Sequence, residues 1–348
     1  MESMDRTQVA ALVLGSTARA NHKQAVSSAD PLAPIAGRSV LGWVIEAAIG
    51  ASIRRIGVVV DEPGQRVRAE VARRTDSALI DFVQPDGLDS IDSIALAIER
   101  VGPELVLSDN SHLLLLSASA PQIESGELRA LISDHIASGA AATVLGHLPE
   151  VRGEGEPIVR SDAEGNVTSI LEPVDRWSED EATIACVRAS LLAPALRRVM
   201  PRGWQSEPLL TDALAALRAA GHAVHEIPRP APVARIVSAA TRSPIEAEIR
   251  RRVIDGWLDR GVAIPAPEQV SIDATVELGQ GVHVLPGTLL EGTTSVGDGA
   301  VLGPNSQLTD AAIGAGVVAG HVVVRGAEVP AHERLAPFTT IGSVHDEP

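Results

Sequence analysis

Ten histidines and one cysteine are the side chains of this 348-residue chain that first suggest catalytic or metal chemistry. The histidines are scattered, and only His222 and His225 have a spacing that suggests a ligand pair. They fall on a predicted strand, where residues three positions apart point to opposite faces. Cys186 lies in an apolar run over residues 184–187, which indicates a core thiol rather than a nucleophile. These side chains therefore predict neither a metal site nor covalent catalysis, and no Gly-x-Ser-x-Gly elbow occurs.

The overall charge excludes further classes of function. The formal net charge is −16 and only one lysine, Lys23, is present, which opposes binding to nucleic acids or anionic membranes. Tyrosine is absent and aromatic residues make up 2% of the chain, so stacking platforms for single-stranded nucleic acids are also lacking. The polar N-terminus does not resemble a signal peptide, and a single cysteine excludes a disulfide framework. We expect a cytoplasmic protein without nucleic-acid or membrane partners.

Short apolar runs alternate with predicted helices over the first half of the chain. These runs, which we interpret as strands, lie near residues 8–14, 56–60, 80–83, 113–116 and 141–145. This alternation predicts a doubly wound α/β sheet. Residues 157–171 follow as a predicted hairpin around Gly165-Asn166. Ser243-Pro244-Ile245-Glu246 then has the pattern of a helix start, with a serine cap and a glutamate three positions later. That helix is predicted to end at Gly261 and to connect two domains.

An aliphatic residue recurs at every sixth position between residues 270 and 308. These residues are Ile272, Leu278, Val284, Leu290, Val296, Leu302 and Leu308. Two positions before each, a second register holds small or β-branched residues, namely Val270, Val276, Val282, Thr288, Thr294, Ala300 and Ser306. A period of six fits neither an amphipathic helix nor an alternating strand. It predicts a solenoid in which each hexapeptide forms one flat side and its aliphatic residue points inward.

Several segments resemble the bacterial bifunctional uridylyltransferase/acetyltransferase family that makes UDP-N-acetylglucosamine. They include PIAGRSVL at residues 34–41, EPLLTD at 207–212 and VLGPNSQLTD at 301–310. The resemblance implies a Rossmann-like, GT-A-like nucleotidyltransferase α/β domain over residues 1–241 and a connecting helix over 242–262. A short left-handed parallel β-helix over 263–342 and a tail over 343–348 would follow.

The resemblance also implies that the contacts to nucleotide and metal have changed. The family's phosphate-binding lysine aligns with Asp30, which places an anion where a triphosphate would lie. Its metal-binding aspartate aligns with Ser119 and its second metal ligand, an asparagine, aligns with Ala240. Neither residue supplies the anionic or carbonyl oxygen that Mg²⁺ prefers. Gln84 and Ser90 would remain as vestigial contacts to the nucleotide.

In the sugar pocket the resemblance implies a partial loss. Glu172, Thr211 and Asp212 match positions of the family's sugar site and would be vestigial contacts. Glu156 replaces a glycine and Ile184 replaces an asparagine.

The family's acetyltransferase half would begin after a segment that resembles residues 336–342, where an arginine is replaced by Gly342. A degenerate member that is truncated at its C-terminus is therefore expected, without acetyltransferase activity.

Two functions stay open at this point. The first is a pseudoenzyme that keeps the shape and assembly of the family, with no catalytic residue, metal or cofactor expected. The second is a divergent sugar-1-phosphate nucleotidyltransferase of the UDP-N-acetylglucosamine type, which would need Mg²⁺. Because β-helices of this family assemble in threes, the resemblance implies a homotrimer in both cases, and an active relative is a further candidate partner.

Overall fold

The computed structural model describes most of the chain. Its described residues are 8–15, 30–59, 65–67, 69, 78–83, 90–101, 110–147, 159–161, 167–170, 182–197, 213–214, 216–229 and 233–342. They form two compact units, one drawn from Met1–Ala33 with Ser39–Arg242 and the other from Pro34–Arg38 with Ser243–Pro348. We refer to these as the α/β unit and the β-helix unit.

The α/β unit is built on a seven-stranded sheet in the order β11-β7-β10-β6-β1-β4-β5. The strands in this half of the chain are β1 Gln8–Leu14, β2 Pro34–Ile35, β3 Arg38–Ser39, β4 Arg55–Val59, β5 Leu79–Val83, β6 Ser111–Ser117, β7 Ala142–His147, β8 Val159–Ser161, β9 Val167–Ile170, β10 Ala185–Arg188 and β11 Val224–Arg229. Neighbours in the sheet are parallel except for β10, which pairs antiparallel with both β6 and β7. The doubly wound sheet is confirmed, with one reversed strand that the sequence did not indicate. The predicted hairpin is confirmed as the antiparallel pair β8 and β9.

Helices cover both faces of this sheet. They are α1 Val40–Gly50, α2 Ser90–Val101, α3 Ser125–Ser138 and α4 Ala189–Leu196, and α5 Ala239–Asp259 follows the sheet in the chain. All seven residues of β6 are buried, as expected for a strand with a helical layer on each side. Leu113 and Leu115 pack on the face with α2 and α4, whereas Leu114 and Leu116 pack on the face with α1 and α3. Successive residues of β6 therefore contribute to two separate cores, one on each face of the sheet.

The start of α5 differs from the prediction. Helix α5 begins four residues before the predicted cap, Ser243, and Pro244 lies inside the helix. The Ser238 Oγ accepts a hydrogen bond from the Thr241 N–H at 3.2 Å, and the Thr241 Oγ1 accepts one from the Ser238 N–H at 3.0 Å. This reciprocal pair satisfies two amides that the helix leaves unpaired, as a capping box does. The cap at Ser238 therefore adds one helical turn before the Ser-Pro signal.

The β-helix unit consists of three parallel sheets that wind around one interior. Its strands are β12 Ser271–Ile272, β13 Glu277–Leu278, β14 His283–Val284, β15 Leu289–Glu291, β16 Ser295–Val296, β17 Val301–Leu302, β18 Gln307–Thr309, β19 Ala312–Ile313, β20 Val318–Ala319, β21 Val323–Arg325, β22 Glu328–Val329, β23 Arg334–Leu335 and β24 Thr340–Ile341. The sheets are β12-β15-β18-β21-β24, β13-β16-β19-β22 and β14-β17-β20-β23. Strands three apart in the chain pair in parallel up to β24, which makes a three-sided parallel β-helix. The predicted left-handed parallel β-helix is confirmed.

The two registers of the hexapeptide pattern fill the interior of this β-helix. The inward aliphatic residues form one core, and the residues two positions earlier are buried at the corners. Where a corner residue is polar, its hydroxyl donates to a backbone oxygen: Thr288 Oγ1 to Leu285 O at 2.6 Å and Thr294 Oγ1 to Glu291 O at 2.7 Å. Threonine is therefore accepted in a dry interior because its donor is satisfied locally.

Five-residue sides explain why the period of six stops at Leu308. The next inward residues are Ile313, Ala319, Val324 and Val329, so that three of the four steps are five residues long. The structure continues the coil through these shorter sides to Ile341.

The short segment Pro34–Arg38 belongs to the β-helix unit. The Ala36 carbonyl accepts a hydrogen bond from the Ala274 N–H at 2.9 Å, and Ile35 is fully buried. Gly37 has a φ of +77°, and a Cβ at this position would overlap the side chains of Asp273 and Thr275. A glycine is thus required both by the backbone conformation and by the close approach.

Candidate functional site

The carboxyl ends of β1 and β6 lie side by side at one edge of the sheet. From β1 the chain continues through β4 and β5 on one side, and β6 lies on the other side. In open α/β sheets, ligands bind at such a reversal of strand order. Leu14 pairs with Ser117, and the Ala118 N–H donates to the Leu14 carbonyl at 2.8 Å. We call residues 14–15 and 117–119 the switch-point edge.

Two serines and an arginine meet at the switch-point edge. The Ser117 and Ser119 hydroxyls lie 3.1 Å apart, and the Arg235 Nε donates to the Ser119 Oγ at 3.3 Å. Ser117 is buried, while Ser119 and Arg235 are half-buried. The group therefore presents a guanidinium and the Ser119 hydroxyl at the end of the strands, which is a set of groups suited to an anion rather than a cation.

This donor set does not fit the magnesium ion that the family resemblance implies. Bound to such a site, Mg²⁺ would supply neutralisation of phosphate charge. Mg²⁺ requires oxygen ligands in octahedral geometry, and Ser119 supplies a neutral hydroxyl that already accepts from Arg235. The guanidinium also repels a divalent cation. Among the described residues, no group of three or more His, Cys, Asp or Glu side chains is placed to hold a metal ion.

Ala240, at the position of the second metal ligand, does not supply an oxygen from its side chain. It is exposed in the first turn of α5. The nearby hydroxyls of Ser238 and Thr241 bond each other's backbone amides and cap the helix. The alanine methyl and the occupied hydroxyls leave this turn without the carbonyl or carboxylate oxygen that Mg²⁺ prefers.

Asp30, which the resemblance aligns with the family's phosphate-binding lysine, contacts a backbone amide and an arginine. Its Oδ1 accepts from the Leu32 N–H at 2.7 Å, and its Oδ2 lies 3.4 Å from the Arg66 Nη2. The Arg66 side chain is 56% exposed, so this ion pair contributes little to stability. The pair does show that a guanidinium balances the carboxylate of Asp30, an arrangement that the sequence analysis missed.

Of the other predicted site residues, the structure describes Ile184 and the backbone of Ser90. Ile184 is fully buried in the core under α1 and α3, so its side chain does not contact a polar ligand. Ser90 is the first residue of α2, and nothing is described for its side chain. The remaining predicted contacts lie outside the described residues, namely Gln84, Glu156, Glu172, Thr211 and Asp212. These assignments stay predictions.

Gly342 occupies a corner of the β-helix at which a side chain does not fit. Its φ is +95°, and a Cβ would overlap the Arg325 carbonyl oxygen. A residue with a Cβ is therefore incompatible with the local backbone at this position.

A buried pair of histidines was not foreseen from the sequence. His112 on β6 and His135 on α3 are joined by an Nδ1–Nε2 distance of 2.9 Å, although they are 23 residues apart in the chain. The His135 Nδ1 lies 2.9 Å from the Thr143 Oγ1 on β7. Burial, followed by the charges of His112, Arg188 and His225, lowers the pKa of His135 to about 4. The pKa of His112 is also lowered, by burial and by Arg188.

These histidines are structural rather than catalytic. His135 is fully buried, so substrates do not reach its ring, and both ring nitrogens have partners.

Cys186 is buried as predicted, and burial raises the pKa of its thiol to about 12. A thiol with such a pKa is not a nucleophile near neutral pH.

No helix among the described residues is long and apolar enough to cross a membrane.

Comparison with known proteins agrees with this architecture. No family model matches the chain. The chain is 34% identical over 330 residues to the bifunctional protein GlmU of Streptomyces avermitilis, covering 90% of this chain and 66% of the relative. It is 32% identical over 327 residues to the Kineococcus radiotolerans protein of the same name, with 90% and 65% covered. For the protein of Bifidobacterium longum subsp. infantis the identity is 31% over 314 residues, with 87% and 67% covered.

A solved structure is similar to this chain in fold. A CMP-2-keto-3-deoxy-manno-octonic acid synthetase in complex with CTP is similar with a TM-score of 0.51 and 16% identity, covering 70% of this chain and 99% of that one. At this identity the likeness concerns the fold alone. The chain spans about two thirds of the length of the curated relatives, 66% for the Streptomyces avermitilis protein. On the sequence identity and the shared architecture, the chain belongs to the family of bifunctional GlmU proteins.

Proposed function

We propose that this chain is a member of the GlmU family that has lost nucleotidyl transfer and acts through binding and assembly. The observation that carries the proposal is the contact of Arg235 with Ser119 at the switch-point edge. Nucleotidyl transfer joins two anions, so it depends on a divalent cation that neutralises phosphate charge. A guanidinium adds positive charge but does not bridge and align phosphate oxygens as a bound metal ion does.

Two further observations support the loss of transfer. Ala240 and the capped hydroxyls of Ser238 and Thr241 offer no second metal ligand. Ile184 places a buried aliphatic side chain where the resemblance implies a polar contact to the sugar. Each change removes a different part of the reaction, so restoring one of them does not restore the others.

Calorimetric titration tests this proposal directly. The full chain is titrated with UTP and with UDP-N-acetylglucosamine, in MgCl₂ and in EDTA, with the Streptomyces avermitilis relative as the positive control. We expect Mg²⁺ to give no gain in affinity for this chain. Micromolar binding that requires Mg²⁺ would contradict the proposal, because it would demonstrate a working metal site.

The alternative is a divergent but active sugar-1-phosphate nucleotidyltransferase. The predicted contacts Gln84, Glu172, Thr211 and Asp212 favour it, since they match the family. Release of pyrophosphate in a screen of nucleoside triphosphates and sugar 1-phosphates discriminates between the two functions. Turnover by this chain supports the alternative.

For assembly we propose a homotrimer formed through the β-helix. Support comes from the family resemblance and from the regular three-sheet architecture of Ser271–Ile341. Multi-angle light scattering is expected to give three times the mass of one 36.2 kDa chain. A monomeric mass contradicts this proposal. Mixing the chain with an active relative then tests a mixed assembly, which we propose as the second mode of partnership.

A further inference from the structure

The segment that carries Arg235 is fixed against the switch-point edge. The Ile236 N–H donates to the Ser119 carbonyl at 2.9 Å, and the Ala234 N–H donates to the Gln122 Oε1 at 3.2 Å. Val233 and Ile236 are buried on either side of the arginine. Backbone bonds and buried side chains thus hold the root of the Arg235 side chain in one position. A cation held in this way needs little ordering when a ligand binds.

The hydroxyls next to Arg235 extend this arrangement. The Ser117 and Ser119 hydroxyls are hydrogen-bonded to each other at 3.1 Å, so only one of their two protons is used between them. When the buried Ser117 donates, the Ser119 oxygen accepts from Ser117 and from Arg235, and the Ser119 proton points to a ligand. A planar guanidinium with an adjacent hydroxyl donor is a phosphate-binding set. The position at the reversal of strand order is where α/β sheets bind their ligands.

We propose that the switch-point edge binds a phosphate-bearing anion through Arg235 and Ser119, whose hydroxyl is oriented by Ser117, with the guanidinium in place of a divalent metal. Binding is therefore independent of Mg²⁺. This inference rests on the proposed function, since it concerns the same edge of the sheet, and it adds the chemical class of the ligand and the means of charge compensation.

The experiment measures the affinity of the full chain for UDP, N-acetylglucosamine 1-phosphate and inorganic pyrophosphate, each in EDTA and in MgCl₂. We expect binding of at least one of the three probes in EDTA, and the probe that binds identifies the source of the phosphate. Absence of binding to all three in EDTA overturns the inference. Turnover in the pyrophosphate-release screen instead overturns the proposed function, so the two failures are distinguishable.

Substitutions at Arg235 test the role of the guanidinium. Arg235→Gln is expected to weaken binding in EDTA by about 10- to 100-fold, the effect of losing a charged hydrogen bond. Arg235→Lys keeps the charge but not the planar fork, so an intermediate loss is expected. Arg334→Gln, at an exposed position on the β-helix, changes net charge equally and is the matched control. Equal affinities for Arg235→Gln and the control contradict the inference.

Ser119→Asp separates the two accounts of this edge even if Arg235→Gln does not fold. On our inference the new carboxylate pairs with Arg235 and weakens binding of the probe by about tenfold or more. On the metal account the same change restores a ligand and makes binding depend on Mg²⁺. An increase in affinity on addition of Mg²⁺ to Ser119→Asp, with no loss in EDTA, overturns the inference.

Discussion

The β-helix unit and the α/β unit differ in what their sequences have kept. In the β-helix every inward position from Ile272 to Leu308 holds an aliphatic residue, and all of them contribute to one core. The α/β unit also keeps complete cores on both faces of its sheet. The family resemblance predicts departures at two polar residues of this unit, Ser119, which contacts Arg235, and Asp30, which contacts Arg66. The comparison separates the requirements of folding, which both units meet, from those of transfer chemistry.

The largest expected effect comes from breaking the regular interior of the β-helix. Leu290 is fully buried, whereas its neighbour Leu289 points outward and is 38% exposed. Leu290→Ala is expected to lower the free energy of unfolding by about 2–5 kcal/mol because it leaves a cavity. Leu289→Ala is expected to cost less than about 1 kcal/mol. Urea unfolding followed by circular dichroism measures both, and equal losses would contradict the assigned inward register.

A second prediction concerns the buried histidines of the α/β unit. In the unfolded chain the imidazole takes up a proton near pH 6.5, but in the folded chain His135 does so only at about pH 4. The folded pKa is lowered, so the unfolded state binds more protons between these values. Stability therefore falls as the pH drops from about 6.5 to 4, and at pH 4.5 His135 accounts for about 2–3 kcal/mol of that loss.

His135→Gln tests this assignment. The variant is expected to be less stable than the parent at pH 7.5 but to lose about 2–3 kcal/mol less on transfer to pH 4.5. His283→Gln, at an exposed position of the β-helix, is the matched control. If His135→Gln and the control give the same pH dependence, the acid sensitivity does not arise at the buried pair.

The smallest expected effect concerns the residue that caps the N-terminus of α5, the helix in which the two units meet in the sequence. Ser238→Ala removes the side-chain acceptor of the Thr241 N–H and is expected to cost about 1 kcal/mol. Ser243→Ala changes an exposed residue inside α5 and should stay within about 0.5 kcal/mol of the parent. Thermal unfolding of both variants decides which serine caps the helix. A larger loss for Ser243→Ala would restore the start predicted from the sequence.

The fold was predictable wherever short-range pattern determines structure. Each inward residue of the β-helix is set by local spacing, so the sequence alone indicated the solenoid up to Leu308. The period of six is lost where sides of five residues replace sides of six, although Ile313 and Val324 still point inward. The start of α5 was misplaced for a related reason. Two capping signals lie close together, and only the contact between Ser238 and Thr241 decides between them.

The candidate site was less predictable because its contacts join distant parts of the chain. Ser119 and Arg235 are 116 residues apart, and His112 and His135 lie on different elements. No periodicity or motif connects such positions. The family resemblance predicts a change at Ser119 but gives no indication of the arginine that contacts it. The anion-binding character of the site is therefore seen only in the fold, where the segment that contains Arg235 lies beside the end of β6.

The measurement that tests the central claim most directly is pyrophosphate release by the full chain. The chain, at high concentration, is incubated with each nucleoside triphosphate, a panel of sugar 1-phosphates and Mg²⁺, alongside the Streptomyces avermitilis relative. The account predicts no release above the level without enzyme, while the relative turns over. Release that depends on both substrates and saturates with them would contradict the loss of transfer chemistry.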